Sequence, residues 1–228
     1  MEPKQDGEQP SNSAFYVDGA QYWEKIPASV DGMLGGYSHI SEIDIKGSQR
    51  FLNTLYQQTD KPGKERALDC GAGIGRITKG LLSKNFKTVD LVEQCGKFLE
   101  EAKRNLSEIN HNGTFFHSGL QSFSAEEGAY DVIWCQWVLG HLTDSDLISF
   151  FKRCKAGLKP KGVIVVKENL TSSGEVEMDH TDSSVTRPEK VLVELIQAAG
   201  LKLIREQKQQ RFPQELYEVK MFAFRPML

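Results

Sequence analysis

From Arg66 onward the chain alternates short apolar runs with amphipathic stretches, and this alternation restricts the fold more than any other feature. "RALDCGA" (66–72), "TVDLVE" (88–93), "GTFFHSG" (113–119), "YDVIWCQW" (130–137) and "GVIVVKEN" (162–169) have the length and composition of strands. The last of these reads as a strand buried on both faces. Between them lie stretches of helical period: "GRITKGLLSKN" (75–85), "GKFLEEAKRNL" (96–106), "DSDLISFFKRCKAGL" (144–158) and "PEKVLVELIQAAG" (188–200). In the second, Phe98, Leu99, Ala102 and Leu106 share one face. The lysines of "KPKG" suit a helix C-terminus. Pro188 and Gly200 suit a helix start and stop. Strand-then-helix repeats predict an α/β fold: a mostly parallel, Rossmann-like sheet with helices on both faces. "LKLIREQKQ" and "YEVKMFAFR" follow with only the "FPQEL" turn between them, so these last strands pair antiparallel.

A chain of 228 residues accommodates one substantial domain with decorations. Residues 1–14 are polar and read as a disordered tail without the apolar core of a signal peptide. Residues 15–60 form a helical and lid extension, and 61–228 the main domain. In the extension, "AQYWEKIPASVDGMLGGY" (20–37) mixes aromatics, proline and Gly35-Gly36, which suits a mobile segment, while "SQRFLNTLYQQ" (48–58) has helical spacing. A formal net charge of −3 gives no general attraction to nucleic acid or to an anionic membrane, and no apolar run approaches the length of a membrane span. Cys70, Cys95, Cys135 and Cys154 form no CxxC and read as reduced, buried thiols rather than metal ligands. These features predict a nuclear and cytoplasmic protein, monomeric or weakly homo-oligomeric, with no metal.

Ligands of open α/β sheets bind beyond the carboxyl ends of the strands. That rule gathers Asp69–Gly75, Glu93, Leu120, Gln121, Gln136, Trp137 and Asn169 on one rim. "LDCGAGIGR" has the form G-x-G-x-G, at Gly71, Gly73 and Gly75, and not the G-x-G-x-x-G dinucleotide spacing. Alone it is either a tight turn or a ligand loop. Glu93 at the end of the next strand can accept both hydroxyl protons of a ribose. Leu120 can cover an adenine face and Gln121 bond its edge, and Arg76 can reach a carboxylate. The set favours S-adenosyl-L-methionine over a nicotinamide dinucleotide. At the fourth strand end "CQWVLGHLTD" lacks the Asn/Asp-Pro-Pro-Tyr clamp for planar nitrogens. Trp137, the early Trp23 and His141 can wall a narrow slot instead, with Asn169 at its rim. Asp179 and Asp182, in a polar segment, suit a cationic substrate if they face that slot and are otherwise a solvated loop.

"DGMLGGY", "LDCGAGIGRITK", "YDVIWCQWVLGHLTD", "KEN" and "DSSVTR" together resemble the protein N-terminal α-amine (Xaa-Pro-Lys) methyltransferases, from about Tyr22 to the last strand. The resemblance implies the S-adenosylmethionine-dependent methyltransferase fold. It implies cofactor contacts at Gly71, Arg76, Glu93, Leu120, Gln121 and Gln136. It also implies a peptide channel lined by Trp23, Leu34, Trp137, His141, Asn169, Asp179, Asp182, Ser184 and Tyr217. Glu93 stands where the family often has aspartate, and "DHT" before Asp182 departs from the commoner spelling.

The implied activity is methyl transfer from S-adenosyl-L-methionine to the α-amine of proteins that begin Xaa-Pro-Lys or Xaa-Pro-Arg after methionine removal, up to two or three methyls. A free α-amine titrates at ~7.7–8.0, below lysine at ~10.4, so positioning and proton removal are the main tasks. Asp182 and His141 are the alternative bases, Asn169 orients the amine, and Trp137 holds the proline ring. A small-molecule amine methyltransferase and a non-catalytic binding protein are the competing readings.

Overall fold

The computed structural model describes residues 12–109 and 111–227. Its helices are α1 (Asn12–Lys25), α2 (Val30–Met33), α3 (Ser41–Tyr56), α4 (Arg76–Gly80), α5 (Gly96–Ser107), α6 (Asp144–Gly157) and α7 (Glu189–Ala198). Its strands are β1 (Arg66–Cys70), β2 (Thr88–Glu93), β3 (Phe115–His117), β4 (Tyr130–Gln136), β5 (Leu158–Leu170), β6 (Glu177–Asp179), β7 (Ser184–Thr186), β8 (Leu201–Lys208) and β9 (Glu218–Pro226). Seven strands form one sheet in the order β3-β2-β1-β4-β5-β9-β8. The first five pair in parallel and β9 antiparallel to both β5 and β8. β6 and β7 make a separate hairpin.

Alternate residues of the central strands point to opposite faces, and each face has its own core. Leu68, Cys70, Ile133, Cys135, Ile164, Val166, Phe222 and Phe224 pack with Phe150, Phe151 and Cys154 of α6 and Leu192 and Ile196 of α7. Ala67, Val132, Trp134, Val163, Val165, Met221 and Ala223 pack with Phe51, Leu52 and Leu55 of α3. Those three α3 side chains are fully buried. At ~1.5–3 kcal/mol for each, they are what fastens the extension to the sheet.

Several elements differ from the sequence-based expectation. Asn12, Ser13 and Ala14 begin α1 rather than belonging to a tail that reaches residue 14; residues 1–11 lie outside the described residues. Residues 20–25, expected in a mobile segment, complete that helix. α1 is seated by Phe15, which is buried, and by the Tyr16 hydroxyl, which donates to Asp146 Oδ2 (2.5 Å) while accepting from Thr143 N. The helix expected over 75–85 stops at Gly80 and gives way to a 3-10 turn at Leu82–Lys84. A Cβ on Gly80 would stand 2.4 Å from Ile45 Cδ1, so a larger residue there would have to displace the tip of that α3 side chain. "KPKG" continues β5, with Lys161 at φ 66 beside a register shift between Tyr130 and Val132. Among the described residues no helix is long and apolar enough to cross a membrane.

Candidate active site

Two adjoining hollows open at the carboxyl edge of the parallel strands. The first is lined by Gly71, Gly73, Arg76, Glu93, Leu120, Gln121 and Gln136. All seven are cofactor-side or rim residues of the sequence-based reading. The β1–α4 turn makes this possible through Gly71, Gly73 and Gly75, whose φ values are 68, 55 and 76, a region that disfavours side chains. A Cβ on Gly71 would stand 2.3 Å from Val138 Cγ2 and one on Gly73 2.7 Å from Met33 Sδ. Val138 thus closes the turn to a larger residue at Gly71, while at Gly73 the positive φ is the stronger constraint, since the Met33 side chain can move aside.

Glu93 ends β2, and its carboxylate accepts the N–H groups of Gly73 (2.9 Å) and Cys95 (2.8 Å). Burial raises its pKa, and those backbone donors offset part of the rise. Asp69 is buried beneath the turn, accepts the Thr78 hydroxyl at 2.7 Å, and is pushed by burial to about 6. Leu120 is buried, and Gln121 lies half-buried beside it. These features fit S-adenosyl-L-methionine. A buried carboxylate faces where a ribose diol would sit, apolar cover comes from Leu120, and a guanidinium is available for a carboxylate.

Trp137 lies between the hollows and lines both. β4 ends one residue before it. Its backbone turns into the left-handed region (φ 53), and its N–H donates to Lys167 O (3.0 Å). The indole Nε1 is buried and unpartnered. Beneath the ring is a buried polar cluster. Asp44 accepts from Arg76 Nη1 (2.7 Å), from Gln136 Nε2 (2.9 Å) and from Lys167 Nζ (2.5 Å). Both ends of the Gln136 amide are engaged, since its Oε1 takes the Trp134 indole N–H at 3.1 Å.

The second hollow is a slot lined by Trp23, Leu34, Trp137, His141, Asn169, Asp182, Ser184 and Tyr217. α1 contributes Trp23, whose Nε1 donates to His141 Nε2 at 2.9 Å. The His141 ring therefore carries its own proton on Nδ1, on the side where α1 passes closely: a Cβ on Gly19 would be 3.7 Å from that atom. Burial lowers the His141 pKa, against the opposing influence of Asp182 and of the Ser183 backbone. Asp182 accepts the Ser184 hydroxyl at 2.6 Å. Tyr217 is 46% exposed at the mouth and donates to Glu177 Oε2 at 2.7 Å. Asp179, expected in the same channel, does not line the slot: it is exposed on β6, and its carboxylate accepts the Thr181 N–H at 2.7 Å.

Sequence reasoning missed Phe98, Phe212 and Glu168, and placed Met33 only in the segment expected to close over the peptide slot. Met33 reaches both hollows, Phe98 lines the first, and Phe212 and Glu168 line the second. Phe98 has an ordinary helix-face spacing and Phe212 lies in a turn, so neither carried a signal. Glu168 had one, as a carboxylate inside an apolar strand. It is buried, its side chain accepts the N–H groups of Val138 and Leu139 (2.9 Å each), and burial pushes it up to about 7. Arg187 holds the carbonyls of Leu139 (3.0 Å) and Leu142 (2.7 Å). The turn that carries His141 is thus held through both its donors and its acceptors. Among the described residues no group of side chains is arranged to hold a metal.

The chain is similar to known proteins along almost its whole length. A family model described as AdoMet dependent proline di-methyltransferase matches residues 11–225. N-terminal Xaa-Pro-Lys N-methyltransferase 1 of Xenopus tropicalis is 50% identical over 214 residues, 92% of this chain and 95% of that protein. Alpha N-terminal protein methyltransferase 1 of Arabidopsis thaliana is 48% identical over 227 residues, 96% and 82% respectively. Among solved structures, a SAM-dependent methyltransferase from Leishmania major superposes with a TM-score of 0.87 at 38% identity, covering 92% of this chain and 83% of that one. The glycine turn, the buried Glu93 and the aromatic slot thus belong to a protein of known kind: this chain is a member of the AdoMet-dependent proline di-methyltransferase family.

Proposed function

We propose that this chain transfers methyl groups from S-adenosyl-L-methionine to the free α-amine of proteins whose exposed terminus reads Xaa-Pro-Lys or Xaa-Pro-Arg. The observation that carries the reading is the junction of the two hollows. Trp137 forms a wall of both, and Asn169 and Asp182 lie on the slot side of it. A proline ring is apolar and conformationally fixed, so an indole face holds it with little loss of freedom.

When bound, the cofactor supplies an electrophilic sulfonium methyl. Everything else is positioning and proton transfer by this chain's residues. Glu93 and Arg76 orient the cofactor's ribose and carboxylate. Asn169 accepts an N–H from the substrate amine and aims its lone pair. Asp182 attracts the ammonium form and takes its proton, with Ser184 holding the carboxylate in place. The His141 Nε2 already accepts the Trp23 indole N–H, so His141 acts by supporting the slot wall.

A peptide beginning Ser-Pro-Lys with a free terminus is expected to incorporate label from S-adenosyl-L-methionine, while its N-acetylated copy is not. Acetylation removes the nucleophile and leaves the lysine side chain intact. Equal labelling of the two would overturn the α-amine reading in favour of side-chain methylation. Labelling of neither, with a small amine accepted instead, would favour a metabolite enzyme.

A further inference from the structure

Lys167 lies near the carboxyl end of β5, directly after the apolar run Val163–Val166, and is fully buried. The reaction outlined above assigns it no part. Its ammonium contacts Asp44 (2.5 Å to Oδ1), the Ser48 hydroxyl (3.0 Å) and Gln209 Oε1 (2.8 Å). Arg76 holds the other oxygen of the same carboxylate, Oδ2, at 2.7 Å. Two cations therefore share one buried anion. A lone Asp44 would neutralise Arg76, and a guanidinium already paired in a dry site gains little from a second carboxylate. Lys167 engages Asp44 from the opposite side, so the Arg76 guanidinium keeps unbalanced charge at the wall of the cofactor hollow, which it lines.

We propose that Lys167 is a positioning residue for cofactor binding: by occupying Asp44 it leaves the charge of Arg76 free for the carboxylate of the methionyl end. The proposal rests on the cofactor reading above and deepens it. Two further observations agree with it. Gln136, which also lines the hollow, donates to the same Asp44, so the three groups are held as one unit. The Lys167 pKa is lowered to about 8, first by burial, with the Arg76 and Arg50 charges adding to the fall and Asp44 opposing it. An ammonium that meets two guanidinium charges is the state expected where cations share Asp44. The other charges near the cluster are the carboxylates of Asp69, whose pKa the Arg76 charge lowers, and of Glu93, which raises the Asp69 pKa.

The test compares two probes by calorimetry. S-Adenosylhomocysteine has the carboxylate; 5′-methylthioadenosine lacks the whole amino-acid end. Lys167→Met is expected to weaken S-adenosylhomocysteine tenfold or more and to leave methylthioadenosine within about twofold. Asp44→Asn/Lys167→Met, which removes the anion as well, is expected to restore S-adenosylhomocysteine to within a few-fold of the unmodified protein. Equal loss of both probes in Lys167→Met would make the lysine purely structural and overturn the proposal. So would unchanged affinity, or a double variant no better than the single one.

Should Lys167→Met not fold, a pH titration of the unmodified protein decides, with the deamino analogue of S-adenosylhomocysteine as probe. Its affinity should fall as pH rises through about 8, where Lys167 loses its proton, while methylthioadenosine stays level. A flat profile for the carboxylate probe overturns the proposal. If the unmodified protein binds S-adenosylhomocysteine no better than methylthioadenosine, the carboxylate reading of Arg76 itself falls.

Discussion

Asp182 and His141 face the same slot, yet their surroundings prepare them for different work. The His141 Nε2 is occupied by the Trp23 indole N–H, and burial lowers the pKa of the ring, so it enters the reaction neutral and already partnered. The Asp182 carboxylate has one oxygen tied to the Ser184 hydroxyl, which leaves it able to accept from an ammonium. Asp182→Asn is accordingly expected to lower kcat by about 10²–10⁴, the usual cost of losing a general base. His141→Asn should act chiefly on peptide KM, because it frees Trp23 and loosens the wall. The pH profile gives the sign. The substrate amine loses its proton by itself near ~7.7–8.0. A variant without the base therefore recovers part of its rate as pH rises through that range, and its optimum moves to higher pH. If steady-state kinetics across pH 6–10 show this displacement for His141→Asn and not for Asp182→Asn, the assignment is reversed.

At the scale of elements, the sequence carried the sheet and the helices that follow its strands, because each buries a face with an unmistakable period. The elements it did not carry are held by contacts distant in the chain. α1 is an example: its apolar residues form no single buried face, with Phe15 buried and Val17 exposed, and its place is set by Phe15, by the Tyr16–Asp146 bond and by the Ser183 hydroxyl donating to Phe15 O (3.0 Å). None of these has a local pattern. Lys167 and Glu168 are similar, since each is a charge inside an apolar strand that only its distant partners, Asp44 and the Val138 and Leu139 amides, make tolerable. The cofactor side of the site was more legible than the slot, because a glycine turn and a strand-end acid have fixed spacing and a hairpin such as β6–β7 does not. The segment 31–37 lies between these cases. Gly35 and Gly36 have φ 55 and 89 with open space around both, while Met33 and Leu34 on its other side line the hollows. That combination is what a lid would need, apolar side chains to anchor it and glycines to hinge it. Amide hydrogen exchange over 31–37 should slow when S-adenosylhomocysteine and a Ser-Pro-Lys peptide are bound together. Unchanged protection there would remove the lid from the account.

At the scale of the whole molecule, a net charge of −3 spread over 228 residues is too small to draw in a basic peptide by its overall field. Selection must be local, and the two acidic side chains near the slot differ in how they can act. Asp182 lines the slot and is half-buried, so salt screens it weakly; Asp179 is exposed on the hairpin, where the Debye length of ~8 Å at physiological ionic strength limits its reach. Both still act on the same region, since each raises the pKa of the Tyr22 hydroxyl, after burial and with Asp182 the larger influence. A Ser-Pro-Lys peptide should therefore bind the protein loaded with S-adenosylhomocysteine at least tenfold more tightly than Ser-Pro-Glu. Equilibrium binding is the proper measurement, because Asp182→Asn also removes the base and would confuse a rate. Asp182→Asn is expected to narrow the gap between the two peptides at low and high salt alike. Asp179→Asn should narrow it less, and only at low salt. If the unmodified protein binds both peptides equally, the third residue lies away from these carboxylates and the slot runs in another direction. If Asp179→Asn proves the more damaging change even at high salt, the hairpin folds over the bound peptide and brings β6 into the slot that it borders here only from outside.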